Sequence, residues 1–311
     1  LAHTYARASM WTATRQAARI LTVSEASKRD ILRFFDIAPE QPQRWELGVK
    51  EVWEVAKPLD SVIHTMGWPL RKSARLNEFG GSFIYPMGED KVCIGMVIGL
   101  DYTDATLSCH DLLQQFKMHP MVKKILKDGK RVAWGAKTIP SGGYFSMPKA
   151  LSVPGMVIAG DAAGMVNVPV LKGIHYGMHA GMYAAEVIID AIKKGSTDLS
   201  EYDKKVQGGI IGEELYESRN MRQVFSKGFF LGGLLASMGT ATKGRLPLGK
   251  WISEPDATEP MFIGDRYDHY PQADNEYTFN KLDSVFAPGN ATRDSAPNHI
   301  RIQQNVPREV A

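Results

Sequence analysis

The stretch from Gly160 to Glu186 holds the residue types best suited to chemistry in this chain of 311 residues. It opens with GDAAG, directly after the apolar run MVIA, so Asp161 is predicted to stand at the end of a buried strand. A carboxylate in that position can accept hydrogen bonds from the hydroxyl groups of a sugar or a ribityl chain. The small residues Ala162, Ala163 and Gly164 would let a phosphate or a flat ring approach the backbone closely.

The loop NVPVLKG, Asn167 to Gly173, leads into a helical pattern that runs from Gly173 to Lys194. Backbone N–H groups at a helix N-terminus attract electron-rich groups, so this segment offers two such ends to one ligand. A flat cofactor that carries phosphates fits both. We predict cofactor contacts at Gly160, Asp161, Gly164, Asn167, Lys172 and Gly173. A tight strand-to-helix turn without a ligand is the alternative.

Composition excludes several other functions. The chain is 44% apolar and 23% charged, which is typical of a globular fold, and a formal charge of +3 gives no reason to expect nucleic acid. Its two cysteines, Cys93 and Cys109, are too few for a disulfide framework or a four-thiolate metal site. His175 and His179 have metal-ligand spacing but no third ligand, so we predict no metal site.

The surrounding pattern predicts the elements that position these residues. WELGVKEVWEV alternates as a strand, and FGGSFIYPMGEDKVCIGMVIGLDY reads as two strands around a Gly-Glu-Asp turn. CHDLLQQFKMHPMVKKIL reads as helix broken at Pro120, and an extended connection leads from it to the MVIAGD strand. The chain from Asp256 onward is predicted to consist mainly of loops.

The segment FSKGFFLGGLLASMGTATKGRLPLGKW combines apolar residues with flanking cations. Its charge-free run, Gly228 to Thr242, has 15 residues, fewer than the roughly 20 needed to span a bilayer. Apolar side chains ringed by Lys and Arg suit insertion into an anionic membrane face, and a buried core helix is the alternative. The predicted membrane contacts are Phe229, Phe230, Leu231, Leu234 and Leu235.

Several motifs together resemble one family. LGVKEVWEV, HTMGWPL, FGGSFIYPM, GLDYTDATLS, FKMHP, SGGYFSMPK and NVPVLKGIHYGMHAGMYAAE look like electron-transfer flavoprotein–ubiquinone oxidoreductases, in that family's order, over about residues 47–302. The resemblance implies an α/β (α+β) fold: a partial FAD-binding domain of the glutathione-reductase-like class plus a β-sheet quinone-binding domain. It implies quinone contacts at Gly80 and Gly81, with Trp68, Phe79, Phe83 and Tyr85 as walls of an apolar pocket.

The same resemblance implies the cofactors and partners. The cofactors are FAD and, in the full-length family, a [4Fe–4S] cluster whose four cysteine ligands this chain lacks. The partners are electron-transfer flavoprotein, ubiquinone and a membrane surface. The location is peripheral: the cytoplasmic face of a bacterial inner membrane, or the mitochondrial inner membrane of a eukaryote.

The chain departs from the family at its beginning. No GxGxxG turn, which binds the ADP half of FAD, occurs anywhere in the sequence, so FAD is expected to bind weakly. Residues 1–43, with TVSEASKRDI, instead resemble a fragment of a family 4-type glycosyltransferase. We therefore interpret the chain as a truncated, chimeric product.

The predicted domains are 1–45, glycosyltransferase-like; 46–151, quinone-binding; 152–200, the second half of the FAD domain; 201–255, helical and membrane-contacting; and 256–311, a loop-rich tail. The predicted activity is electron transfer from reduced electron-transfer flavoprotein to ubiquinone. No catalytic acid or base is predicted, because flavin and quinone would carry the redox chemistry. The alternatives are a flavin reductase of the geranylgeranyl-reductase or nitrogen-fixation type, an inactive fragment without cofactor and, least supported, a glycosyltransferase.

Overall fold

A five-stranded antiparallel sheet forms the first half of the computed structural model, which describes residues 39–71, 78–245, 249–255 and 260–288. Its strands are β1 (Trp45–Glu54), β2 (Ile63–Met66), β3 (Gly80–Pro86), β4 (Lys91–Gly99) and β5 (Lys130–Pro140), in the order β2-β3-β4-β1-β5. Three of these strands, β1 and the β3–β4 hairpin, follow the predicted pattern, and Gly88 supplies the positive φ that the hairpin turn needs. The sequence analysis did not predict β2, and β5 lies in the segment predicted as an extended connection. The fold is therefore a mixture of helices and an antiparallel sheet.

Two short helices cover one face of the sheet, as the helical pattern broken at Pro120 predicts. Helix α1 (Cys109–Lys117) begins after Ser108, whose side chain accepts a hydrogen bond from the Asp111 backbone, and helix α2 (Pro120–Leu126) begins with the proline itself. Their apolar sides close a core against the sheet that includes Trp53, Ile84, Ile94, Ile98, Leu112, Leu113 and Val122.

A fully buried ion pair crosses this core. The Lys117 ammonium lies 2.7 Å from the Glu51 carboxylate, and both side chains are inaccessible to solvent. Trp53 Nε1 donates a second hydrogen bond to Glu51 at 2.8 Å, and Arg131 lies 3.5 Å from the other carboxylate oxygen. Burial lowers the pKa of Lys117 to about 8, although the neighbouring Glu51 carboxylate favours its charged form.

The second core surrounds a long helix. Helix α3 (Ile174–Lys193), predicted as Gly173 to Lys194, packs Tyr176, Ala180, Ala184 and Val187 against helices α4 (Ser200–Gln207) and α5 (Ile210–Glu217). The strand predicted at MVIAGD is shorter than expected, because only Met156–Val157 (β7) pairs, with Ser152–Val153 (β6). The chain then turns into a 3₁₀-helix at Gly160–Ala163, which ends the strand geometry early.

The other face of α3 is apolar as well. Ile174, Met178, Met182, Ile189 and Ile192 recur at helical spacing, and between 51% and 79% of each residue is exposed. A β-carbon added at Gly177 or Gly181, on the same side, would meet no atom within 4 Å. This helix thus carries apolar residues on two opposite sides.

Helix α6 (Phe229–Ala241) follows a 3₁₀-helix at Gln223–Lys227. Its residues Phe229, Leu235 and Ala236 pack against Val224 and Phe225, whereas Phe230, Leu231, Leu234 and Met238 are exposed. Within the described ranges, no helix combines the length and apolar character needed to cross a membrane. A last helix, α7 (Lys281–Ser284), lies in the loop-rich segment after residue 260.

The structure describes only residues 39–45 of the predicted glycosyltransferase-like segment, 1–45. Residues 1–38, including the apolar positions Ile31, Leu32 and Phe35, lie outside the described residues. The chimera therefore stays a prediction.

Candidate functional site

The residues predicted to hold a cofactor lie around the N-terminus of α3. Gly173 caps the helix, and a β-carbon placed on it would lie 3.2 Å from Asp161 Oδ1, so the exposed Asp161 carboxylate stands beside the first turn of the helix. Gly160 has φ +64°, and the nearest atom to its missing β-carbon is Gly177 Cα, at 3.8 Å. Bare backbone therefore lies on both sides of Asp161, at Gly160 before it in the chain and at Gly173 beside its carboxylate.

The loop before α3 is closed by Asn167 and Lys172. The Asn167 N–H donates to the Lys172 carbonyl at 2.8 Å, and the Lys172 N–H donates to the Asn167 carbonyl at 3.1 Å. Leu171 between them has φ +57°, a conformation that is costly for a bulky residue. Lys172 itself is exposed at the mouth of this loop. Asp161, Lys172 and Gly173 thus lie on adjoining turns of the chain at the start of α3.

Whereas Asp161 is exposed, Gly164 is buried against other residues of the protein. It has φ +77°, and a β-carbon there would come within 2.8 Å of Gln43 Nε2, while its neighbour Ala163 is fully buried in the core. At this position the bare backbone is approached by the linker before β1. The positive φ and the close approach of Gln43 therefore explain the glycine at position 164 without a ligand.

These residues fit one half of a flavin cofactor. An accessible carboxylate beside bare backbone suits a ribityl chain, and the helix N-terminus with Lys172 suits the electron-rich ring system. Asp161, Lys172 and Gly173 are the residues that would make these contacts. They supply no equivalent of the glycine turn for the ADP half.

The predicted quinone residues are the first two residues of β3, which lies between β2 and β4. Gly80 has φ +144°, and a β-carbon on it would lie 2.1 Å from the Val97 carbonyl oxygen of β4. A β-carbon on Gly81 would lie 2.6 Å from the Thr65 carbonyl oxygen of β2. Close approach of the two neighbouring strands is thus sufficient to require glycine at both positions.

The four predicted wall aromatics make three separate ring contacts, and only one of these contacts joins two of the four. Phe79 contacts Phe225, with ring centroids 4.8 Å apart, and Phe83 stacks on Tyr85 at 5.4 Å. Trp68, which is half-exposed, lies beside His119. The contact made by Phe79 joins the start of β3 to the apolar residues that pack under α6, which include Val224 and Phe225.

Substitution of Gly80 by alanine is expected to lower the free energy of unfolding by about 1–3 kcal/mol, because the new β-carbon would need both an unfavourable φ and displacement of β4. The matched control is Gly135→Ala on β5, where the nearest atom would be 4.0 Å away. Urea denaturation of the two variants measures the difference. Equal midpoints would contradict this account of the glycine.

Sequence reasoning missed a polar network behind the cofactor loop. Glu214 Oε2 accepts hydrogen bonds from Tyr176 Oη at 2.6 Å and from Asn167 Nδ2 at 3.1 Å, and His175 Nε2 lies 3.9 Å away. The carboxylate and burial raise the pKa of the tyrosine above its ordinary value, with burial as the larger cause. Glu214 is 47 residues from Asn167, so no local spacing could indicate it.

The described residues contain no group of three or more His, Cys, Asp or Glu side chains that could hold a metal ion. Cys93 and Cys109 are both buried and free, and burial raises the pKa of Cys109 to about 12. Thiols of this kind do not fit the ligand set of an iron–sulfur cluster.

A solved structure shares part of this fold. The geranylgeranyl bacteriochlorophyll reductase-like protein of Thermoplasma acidophilum superposes with a TM-score of 0.50, at 17% identity, over 65% of this chain and 48% of that protein. At this identity the likeness shows the fold alone.

Sequence relatives cover more of the chain. A family model described as "ETF-QO, ubiquinone-binding" matches residues 45–139. The mitochondrial electron transfer flavoprotein-ubiquinone oxidoreductase of Oryza sativa is 36% identical over 87% of this chain and 47% of its own length, and that of Pseudomonas aeruginosa is 33% identical over 85% and 50%. The chain spans about half the length of these relatives. Over the matched residues, it belongs to the family of electron transfer flavoprotein–ubiquinone oxidoreductases.

Proposed function

We propose that this chain is the ubiquinone-binding and flavin-binding part of an enzyme that passes electrons from reduced electron-transfer flavoprotein to ubiquinone. One observation carries the proposal: the match to the ubiquinone-binding region, 45–139, coincides with the five-stranded sheet. The sheet's first strand begins at Trp45 and its last strand ends at Pro140. The relatives that align with most of the chain bear the name of this reaction.

The proposed roles of the segments follow the two apolar cores of the fold. Residues 46–151 bind the quinone beside Gly80 and Gly81, and residues 152–200 are the second half of a FAD-binding domain of the glutathione-reductase-like class. Residues 201–255 contact the membrane, and residues 256–311 form a loop-rich tail. The sheet and the segment after it meet at Phe79, whose ring also lies 3.9 Å from the Arg222 guanidinium.

The chain's own residues have supporting roles in the proposed reaction. FAD, when bound, would supply the electron-transfer chemistry, so no side chain needs to act as general acid or base. Asp161 would accept hydrogen bonds from the ribityl hydroxyls, and Lys172 with the N-terminus of α3 would offset negative charge on the ring. The two buried thiols, Cys93 and Cys109, cannot ligate a [4Fe–4S] cluster.

Membrane contact is proposed for the exposed side of α6. Phe230 is 84% exposed and Leu234 58%, and Lys227, Lys243 and Arg245 lie at the two ends of the helix. Apolar side chains flanked by cations bind the interface of an anionic membrane without crossing it. The corresponding location is the cytoplasmic face of a bacterial inner membrane or the mitochondrial inner membrane.

The test is photolabelling with an azido derivative of a short-chain ubiquinone. We expect label in the peptide that spans residues 78–86, and we expect excess unmodified ubiquinone to suppress it. The matched control is the β5 peptide 130–140, from the edge of the same sheet, which should stay unlabelled. Label that excess ubiquinone does not displace, or that spreads equally over both peptides, would contradict quinone binding at β3.

A further inference from the structure

Glu214, whose side chain is 39% exposed, completes a hydrogen-bond network behind the proposed flavin loop, Asn167 to Gly173. Its Oε2 atom accepts hydrogen bonds from two side chains that are themselves withdrawn from solvent: Tyr176 is 0% exposed and Asn167 is 8% exposed. Asn167 Nδ2 donates a further hydrogen bond to Tyr176 Oη at 2.7 Å. The three groups therefore form a closed triangle between helices α3 and α5 and the loop.

The three hydrogen-bonded groups stabilise the loop from Asn167 to Gly173, because Asn167 belongs to both. The side-chain oxygen of Asn167 accepts the Val170 N–H at 3.3 Å, while its backbone exchanges two hydrogen bonds with Lys172. One residue thus holds the start, the middle and the end of the loop. Because Leu171 is in a left-handed conformation, the loop needs such support to keep this shape.

The acceptor at Glu214 determines whether Asn167 can hold this position. A buried amide N–H₂ and a buried phenol without an acceptor would each lose a hydrogen bond that folding must replace. The carboxylate also gives the stronger, charge-assisted kind of hydrogen bond. His175, at 3.9 Å from Glu214 Oε2, is too far away to serve as a hydrogen-bond partner in this arrangement.

We propose that Glu214 is a positioning residue of the flavin site: it fixes Asn167, and through Asn167 it presents Lys172 and the N-terminus of α3 to the flavin ring. This inference rests on the proposed function, because it assumes that the group beside Lys172 is a flavin. Glu214 itself does not touch the flavin.

Two variants and one matched control test the role. Glu214→Ala removes the acceptor, Glu214→Gln keeps an acceptor oxygen but removes the charge, and Glu213→Ala makes the same change one residue earlier at an exposed position of α5. Hydrogen–deuterium exchange of a peptide covering residues 165–173 reports on the loop without any cofactor. Fluorescence titration with FAD reports on binding.

We expect Glu214→Ala to speed exchange in the 165–173 peptide about tenfold or more and to weaken FAD binding by a similar factor. Glu214→Gln should restore most of both properties, and Glu213→Ala should match the unsubstituted chain. If Glu214→Ala does not fold, Tyr176→Phe, which keeps the buried ring, decides with the same two readouts.

The two proposals fail differently. Absence of FAD binding to the unsubstituted chain would refute the flavin site, while the exchange measurement would still decide whether Glu214 orders the loop. The positioning role would be overturned if the 165–173 peptide exchanged at the same rate in Glu214→Ala as in Glu213→Ala. It would also be overturned if Glu214→Ala raised exchange in the peptides of α3 and α4 as much as in the loop. A rise confined to the loop that glutamine reverses would support it.

Discussion

Glu51→Ala is expected to lower the free energy of unfolding by about 3–5 kcal/mol, because it leaves the Lys117 ammonium buried without its partner. Both side chains are fully inaccessible, and Trp53 Nε1 would also lose its acceptor. Neither water nor salt can screen a charge in this position. Urea denaturation monitored by circular dichroism measures the change.

Two further variants make this result specific. Glu201→Ala removes an exposed partner of Lys204, on helix α4, and should change stability little. The double variant Glu51→Gln with Lys117→Met removes both charges at once and should recover much of the loss. A loss in Glu51→Ala no larger than that in Glu201→Ala would show that the buried pair does not contribute as argued.

Phe230→Asp is expected to weaken binding to vesicles that contain anionic lipid by about 10- to 100-fold. Transfer of one phenylalanine side chain out of water contributes about 1.5–3 kcal/mol, and each 1.4 kcal/mol is a factor of ten in affinity. Phe230 is 84% exposed on α6, so the substitution disturbs few contacts inside the protein. Co-sedimentation with vesicles measures the affinity.

The matched control for this experiment is Phe286→Asp. Phe286 is 83% exposed, next to α7, so it has the same chemistry and accessibility at a different place on the surface. We expect this variant to bind vesicles as the unsubstituted chain does. Equal losses in the two variants would indicate general hydrophobic adhesion and would argue against α6 as the membrane contact.

Local patterns predicted most elements of the fold. The alternation in β1 and in the β3–β4 hairpin, and the helical spacing interrupted at Pro120, depend on neighbours within a few residues, so the sequence shows them directly. The predicted strand at MVIAGD is too long because a run of apolar residues looks the same in sequence whether or not a partner strand lies beside it. Only Met156 and Val157 have such a partner.

Contacts that close over long stretches of chain could not be predicted in this way. The buried pair of Arg266 with Glu78 joins residues 188 positions apart, and Glu214 meets Asn167 across 47. The glycines of β3 illustrate a second limit. Sequence indicates that something approaches the backbone at Gly80, but it does not say that the approaching group is the carbonyl oxygen of Val97.

The two-sided apolar character of α3 has a consequence for handling the protein. Five large side chains between Ile174 and Ile192 face water, and contiguous apolar surface of this kind drives association between molecules. Kosmotropic salts such as ammonium sulfate strengthen that attraction, and agents that solvate apolar groups weaken it. Purification at low sulfate with a mild detergent is therefore expected to reduce association between copies of this chain through α3.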